Sequence, residues 1–324
     1  MNVPGLVFGG IAIGIVFLYG SVGEIITEKS GHLNLGIPGI MCMGTAGGMF
    51  GVSNYMGMLS NTKSASLLLI LLFGIVFAFL FAAVGGAIYA LLTVSFKANQ
   101  NVVGLAVTTF GAGFAQFFIK KFVTTKFLSR ASKIVRNFIN FEIKSSFGVP
   151  IKYQYGVLSC LAIILALACA LFFKKTKKGL HLRAIGENPA TADAVGINVN
   201  LYKYIAIIVG SGIAGLGGLY YVVEYNNGTF DNVLTIQAFG WLAVALVIFT
   251  MWRSDFAIFG SFVFGMLYVF NGNLTGTSSL ATQELIKLLP YVMTIIVLII
   301  TSIFGSKNVQ PPASLGLNYF REDR

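Results

Sequence analysis

Two histidines, three cysteines and eleven carboxylates are the whole stock from which this 324-residue chain could build acid–base, nucleophilic or metal chemistry. Their spacing favours none of it. His32 and His181 lie in different loops, each without a partner at metal-ligand spacing. Cys42, Cys160 and Cys169 fall inside apolar runs, and no CxxC pair marks a metal or redox centre. Glu24 and Glu28 end the first apolar run. Glu142, Glu187, Asp193, Glu224, Asp231, Asp255 and Glu284 fall between runs, and Glu322 and Asp323 lie in the tail. No carboxylate stands at the middle of a run, where a proton- or sodium-coupled carrier needs one. GxSxG, HExxH and GxxxxGK[ST] are all missing. The chain is therefore expected not to be an enzyme and to hold no cofactor or metal. If ATP drives it, another subunit must cradle the phosphates.

One polar stretch is organised differently. Residues 179–197 read GLHLRAIGENPATADAVGI and lie between two long apolar runs. Asn188 is placed to cap a helix, Pro189 occupies the first helical position, and Gly196 supplies the left-handed stop. A helix of under two turns does not hold together alone in water. It needs a docking surface, which makes it a contact element.

The elements that position this loop are apolar helices. The chain is 56% hydrophobic and only 10% charged, whereas soluble domains carry about 25% charged residues. Continuous apolar runs of spanning length exclude a barrel and predict an all-α polytopic membrane protein of about nine transmembrane helices. The runs lie at about 5–23, 33–52, 65–95, 101–119, 154–173, 201–223, 238–251, 255–271 and 285–304. The third is long enough to bend at Gly85-Gly86. The seventh and eighth form a hairpin around Trp252-Arg253-Ser254-Asp255. The whole of 1–324 reads as one domain, with the polar loop at 174–200 and a long external loop at 120–152. The first run lacks the basic flank and cleavage site of a signal peptide and is kept as a span.

Net charge is +11, which fits basic loops beside spans and gives no reason to invoke nucleic acid. Lys174-Lys175-Thr-Lys177-Lys178 puts the polar loop in the cytoplasm, hence the N-terminus outside and the C-terminus inside. In the outer loop, Phe127, Ala131, Ile134, Val135 and Phe138 recur at helical spacing opposite Lys126, Arg130, Lys133 and Asn137. This pattern suits a helix lying in the membrane interface, or a basic landing surface for an acidic external protein. Gly210, Ala214 and Gly218, together with Gly44, Gly48, Gly47 and Gly51, mark close helix contacts.

The 179–197 run resembles the cytoplasmic loop of permease subunits of bacterial ABC importers in the branched-chain amino acid, ribose and nucleoside group. Gly23-Glu24, Ser30-Gly31-His-Leu-Asn34-Leu-Gly36, Leu92-Thr-Val-Ser-Phe-Lys97-Ala-Asn99-Gln100, residues 243–253 and Leu289-Pro290-Tyr291-Val292 extend the likeness over nearly the whole chain. They favour the nucleoside permeases that work with basic-membrane-protein-type lipoproteins.

The resemblance implies a bacterial cytoplasmic (inner) membrane protein with three partners: a cytoplasmic ABC ATPase, a second, related permease and an external substrate-binding lipoprotein. It makes Gly186, Glu187, Asn188, Pro189, Asp193 and Gly196 the coupling element. A nucleoside needs an apolar or aromatic slot and hydrogen-bonding groups, for which Asn34, Thr108, Thr109, Phe110, Phe114 and Gln116 are candidates. Two positions depart from the family. Pro38 stands where an acidic residue usually precedes the next glycine, and Thr250-Met251 replaces a common glycine before Trp252-Arg253. Ribose or branched-chain amino acids are the alternative cargo. A stand-alone carrier or channel is the reading from a different class.

Overall fold

The computed structural model describes residues 3–59, 65–144, 150–274, 285–286, 288–304 and 310–320. Glu284, Glu322 and Asp323, along with residues 145–149 of the long loop, lie outside the described residues.

A helix occupies each of the nine predicted runs. These are α1 (Val3–Glu28), α2 (Ile37–Met58), α3 (Leu67–Ala90), α4 (Gln100–Phe122), α6 (Val157–Lys175), α9 (Val199–Tyr220), α10 (Val233–Phe249), α11 (Ser254–Leu274) and α12 (Leu289–Phe304). Three more helices fill the loops: α5 (Thr125–Val135), α7 (Lys177–Glu187) and α8 (Pro189–Ala194). Asparagine starts several of them. Asn99 caps α4 by accepting from Asn101 N at 3.0 Å, Asn198 caps α9 from Leu201 N at 3.1 Å, and Asn232 caps α10 from Thr235 N at 2.8 Å.

Five helices among the described residues are long and apolar enough to cross a membrane by themselves. They are Pro4–Glu28, Leu67–Ser95, Gln100–Phe122, Val157–Lys175 and Val199–Tyr225. The chain is a multi-pass membrane protein.

The glycine-rich α9 is the axis of the bundle. It packs against α1, α2 and α3, while α1 also packs on α10 and α11, and α2 on α3 and α4. The approach is close because side chains are absent. A Cβ on Gly44 would sit 2.5 Å from Gly215 O, and one on Gly210 would sit 2.6 Å from Thr27 Oγ1. In lipid, where apolar burial supplies little net drive between helices, such backbone approach is the main source of packing energy.

Helix α3 continues unbroken through Gly85-Gly86, where the sequence allowed a bend. Those glycines instead make room for Met43 and Ser211. The irregularity falls later, in a single π turn at Leu91–Ser95, and α9 ends on a similar turn at Tyr221–Tyr225.

The long loop also differs from its expectation. Its helix α5 turns Leu128, Ala131, Ser132 and Val135 into the protein, packing on α2 and on the turn that ends α9, while Lys126, Arg130 and Lys133 face outward. Phe138, assigned to the apolar face, is exposed. An antiparallel hairpin follows, β1 (Ile139–Lys144) against β2 (Pro150–Tyr155), with Ile139 opposite Tyr155.

Glu224, from the turn that ends α9, closes the start of α6. It is 4% exposed and accepts from Gly156 N at 3.2 Å, Leu158 N at 2.7 Å, Ser159 N at 3.1 Å and Ser159 Oγ at 2.8 Å. These are amides that every helix start leaves without partners. The N-terminal half of α1 is tied to the same end by Tyr155 OH donating to Phe8 O at 2.8 Å.

Candidate functional site: the α7–α8 platform and the open face of α4

The short helix forms as its sequence dictates. Asn188 accepts from Thr191 N at 3.0 Å, Pro189 opens α8, and Gly196 stops it at φ +85°. The preceding α7 is capped by Thr176, whose hydroxyl accepts from Gly179 N at 3.0 Å. Ile185, Ala192 and Val199 form a small buried cluster with Ile197, Tyr202 and Tyr319. The other side of α8 is bare: Val195 is 72% exposed, and Ala190, Thr191, Ala194 and Gly196 are exposed beside it.

Residues 310–320, unremarked in the sequence, tie this element down. Ser314 donates to Gly186 O from both its amide (3.0 Å) and its hydroxyl (2.6 Å). Ala313 N reaches Glu187 Oε2 at 3.4 Å, and Tyr319 OH donates to Asp193 Oδ2 at 2.8 Å. The strap continues to two other connections. Gly316 N donates to Gly31 O at 3.2 Å, and Asn318 Nδ2 donates to Lys97 O at 2.6 Å while its Oδ1 accepts from Gln100 Nε2 at 3.2 Å. Of the six predicted coupling residues, Gly186, Glu187 and Asp193 are held by the strap, and Asn188, Pro189 and Gly196 set the ends of α8. Only its bare face is presented outward.

Beneath the platform lies a polar core. Asn34 N donates to Glu24 Oε1 at 3.1 Å, Leu33 N to Gln100 Oε1 at 2.8 Å, and Tyr89 OH to Leu33 O at 2.7 Å. Trp252 Nε1 donates to Glu28, locking the α10–α11 hairpin to the end of α1. Asp255 adds a second lock by accepting from Lys174 at 2.8 Å and Arg253 at 3.0 Å. In the 29–36 connection, burial pushes the His32 imidazole well below its ordinary 6.5, with the nearby Lys203 ammonium adding to it. Burial, then Arg183, likewise lowers the Lys29 amine.

The two departures from the family pattern now have local explanations. Met251 and Trp252 both stand at positive φ (54° and 55°) in the α10–α11 hairpin, the conformation that glycine adopts freely. Pro38 lies in the first turn of α2 and packs on Gly240 of α10, inside the protein rather than on an open face.

The six candidate pathway residues divide. Asn34 is fully buried, and its Oδ1 accepts from Gly36 N at 2.9 Å. Thr108 is buried and donates to Leu35 O at 2.7 Å. Both satisfy the broken backbone ahead of α2. Thr109, Phe110 and Gln116 share one exposed face of α4 with Phe117, and Gly113 between them has nothing within 4 Å of where its Cβ would be. Phe114 sits half-buried at the edge, stacked 6.1 Å from Phe110 and 5.4 Å from Phe118. An exposed strip carrying Thr109, Gly113 and Gln116 at spanning depth is poorly suited to hydrocarbon. Among the described residues no cluster of three or more His, Cys, Asp or Glu could hold a metal ion.

Known proteins point the same way. The family described as "Branched-chain amino acid transport system / permease component" matches residues 6–298. The nucleoside ABC transporter permease protein NupC of Lactococcus lactis subsp. cremoris is 30% identical, covering 94% of this chain and 93% of its own. The putative glucose ABC transporter permease protein TsgC13 of Haloferax volcanii is 28% identical over 98% of both chains. The guanosine ABC transporter permease protein NupQ of Bacillus subtilis is 27% identical over 94% of this chain and 92% of its own. No solved structure matches significantly.

Proposed function

The chain belongs to the branched-chain amino acid transport system permease family, and on that premise we propose that it carries nucleosides through the membrane as one of two permeases driven by a separate ATPase. It is a transport subunit and not an enzyme. The bare face of α8 carries the reading. A helix of under two turns held from behind by residues 310–320, with Ala190, Ala194 and Val195 facing outward, is a rigid knob ready to enter a groove on the ATPase.

The arrangement of the ends supports nine crossings with the N-terminus outside. Phe8 is tied to the hairpin end, residues 310–320 to the α7–α8 end, and Lys174, Lys175, Lys177 and Lys178 cluster at the latter. Cargo passes along the open face of α4, where the second permease closes the pathway. Phe110 and Phe117 offer π-faces to a base, and Thr109 and Gln116 offer polar groups to a ribose. An external lipoprotein delivers it. The relatives named for nucleosides and guanosine favour this cargo. The relative named for putative glucose transport favours a sugar as the second reading.

The test is affinity purification from native membranes, paired with nucleoside uptake into vesicles. The native chain should bring down an ATPase and a second permease. Val195→Asp should lose the ATPase and uptake while eluting and melting like the native chain. ATPase capture and uptake unchanged by Val195→Asp would overturn the docking assignment. Glucose outcompeting every nucleoside would move the cargo to the second reading.

A further inference from the structure

A groove runs down the bundle between α6 and α9, both of which pack on α1. Its floor is Ile26 of α1, and its walls are Leu165, Ala168 and Phe172 on one side and Leu201, Ile205, Val209 and Ile213 on the other. Its volume is about 490 Å³. At the α7–α8 end it is closed by Leu182 and Lys178 of α7, beside Tyr202.

Dimensions and charge identify what fits. From Leu201 to Ile213 the helix rises about 18 Å, close to the depth of one leaflet of a hydrocarbon core about 30 Å thick. Along that length the lining is almost wholly apolar, from Leu165, Ala168 and Phe172 to Ile205, Val209 and Ile213, the kind of surface that an acyl chain covers in the hydrocarbon core. Its mouth is basic and amphipathic. Exposed Lys178 stands there, just past the end of α6 at Lys175 and next in sequence to exposed Lys177, and Tyr202 OH is hydrogen-bonded to His181 Nδ1 at 3.0 Å. A lysine cluster at the end of a span attracts anionic headgroups.

We propose that this groove holds one acyl chain of an anionic phospholipid, with its phosphate seated at Lys178. The lipid would fill the gap behind α7 and so brace the helix that leads into α8. The inference uses the membrane placement of the chain and is independent of which solute it carries.

Native mass spectrometry of the detergent-purified complex, delipidated and then offered phosphatidylglycerol or phosphatidylcholine, reads the proposal directly. Phosphatidylglycerol should be retained about fivefold better than phosphatidylcholine, the effect of one lysine at an anionic lipid surface. Lys178→Gln, a surface change, should abolish that preference while leaving weak binding of both lipids. Ala168→Trp should fill the groove and remove both. Val209→Trp, on the opposite wall, repeats the test if the first variant melts early. No preference for phosphatidylglycerol in the native chain, or unchanged preference in Lys178→Gln, would overturn the proposal. So would an Ala168→Cys thiol shielded from maleimide by a partner subunit when lipid is absent.

Discussion

At the α7–α8 end of the bundle, five separate stretches of chain meet: residues 29–36, 96–100, 176–198, 250–253 and 310–320. They are held through backbone amides, short polar side chains and the buried carboxylates of Glu24 and Glu28, with Ser314, Asn318 and Gln100 each reaching a different connection and Trp252 reaching the end of α1. The opposite end is built from fewer, stronger parts. One buried carboxylate, Glu224, closes α6 with four hydrogen bonds, and a hairpin and a basic helix are laid over it. The difference separates two kinds of stability. Removing one part of the hairpin end opens a helix terminus, whereas removing one tie at the α7–α8 end loosens how five loops move together. The first should register in folding, the second in coupling.

Glu224→Ala tests the hairpin end and carries the largest expected effect. Three buried amides and a hydroxyl lose their acceptor, a cost of about 3 kcal/mol or more. Thermal unfolding in detergent should fall by many degrees, and an unchanged midpoint would refute the capping role.

Deleting residues 310–324 tests the α7–α8 end. The fold should survive, since the strap chiefly ties connections together and sends only Leu315 against the main core. Uptake should drop by about tenfold or more, within the usual range of coupling energies, while ATP hydrolysis by the assembled complex continues. Loss of both activities together with loss of the folded chain would erase the distinction between the two ends.

A smaller effect comes from pH. His32 is 1% exposed and stays neutral when folded, its pKa held well below the ordinary 6.5. The unfolded chain takes up a proton that the folded chain refuses, so stability present above 6.5 is lost as pH falls below it. One unit lower the loss is about 1.4 kcal/mol, and His32→Gln should flatten that slope. Smallest is Met251→Gly, which frees a left-handed residue and should stabilise by about 1 kcal/mol. A lower melting point in that variant would show that the Met251 side chain matters more than its backbone.

Much of this architecture was legible in local sequence. The apolar runs located nine helices because length and hydropathy are local properties, and Asn188, Pro189 and Gly196 fixed α8 because caps act over three residues. What escaped was non-local. Nothing in Ala313 to Tyr319 is periodic, and its partners lie more than a hundred positions away. Asn34 and Thr108 look like pathway residues by type, yet each satisfies backbone groups at the entry to α2, a role that needs the fold to be seen. Glu224 gave no hint of capping a helix that begins 67 residues earlier. The hairpin did leave a trace in the alternation of Ile139, Phe141 and Ile143 with Asn140, Glu142 and Lys144. A reading tuned to helical spacing passed over it.

The strap also sets a timetable. Residues 179–197 leave the ribosome more than a hundred residues before 310–320. At about 5–20 residues per second the nascent chain spends roughly 6–23 s with α8 made and its backing missing. Until then the knob rests only on Ile185, Ile197, Val199 and Tyr202 and lacks Tyr319 and the strap's hydrogen bonds, so its shape is less firmly held. On the docking role proposed for α8, recruitment of the ATPase is deferred until the strap has been translated.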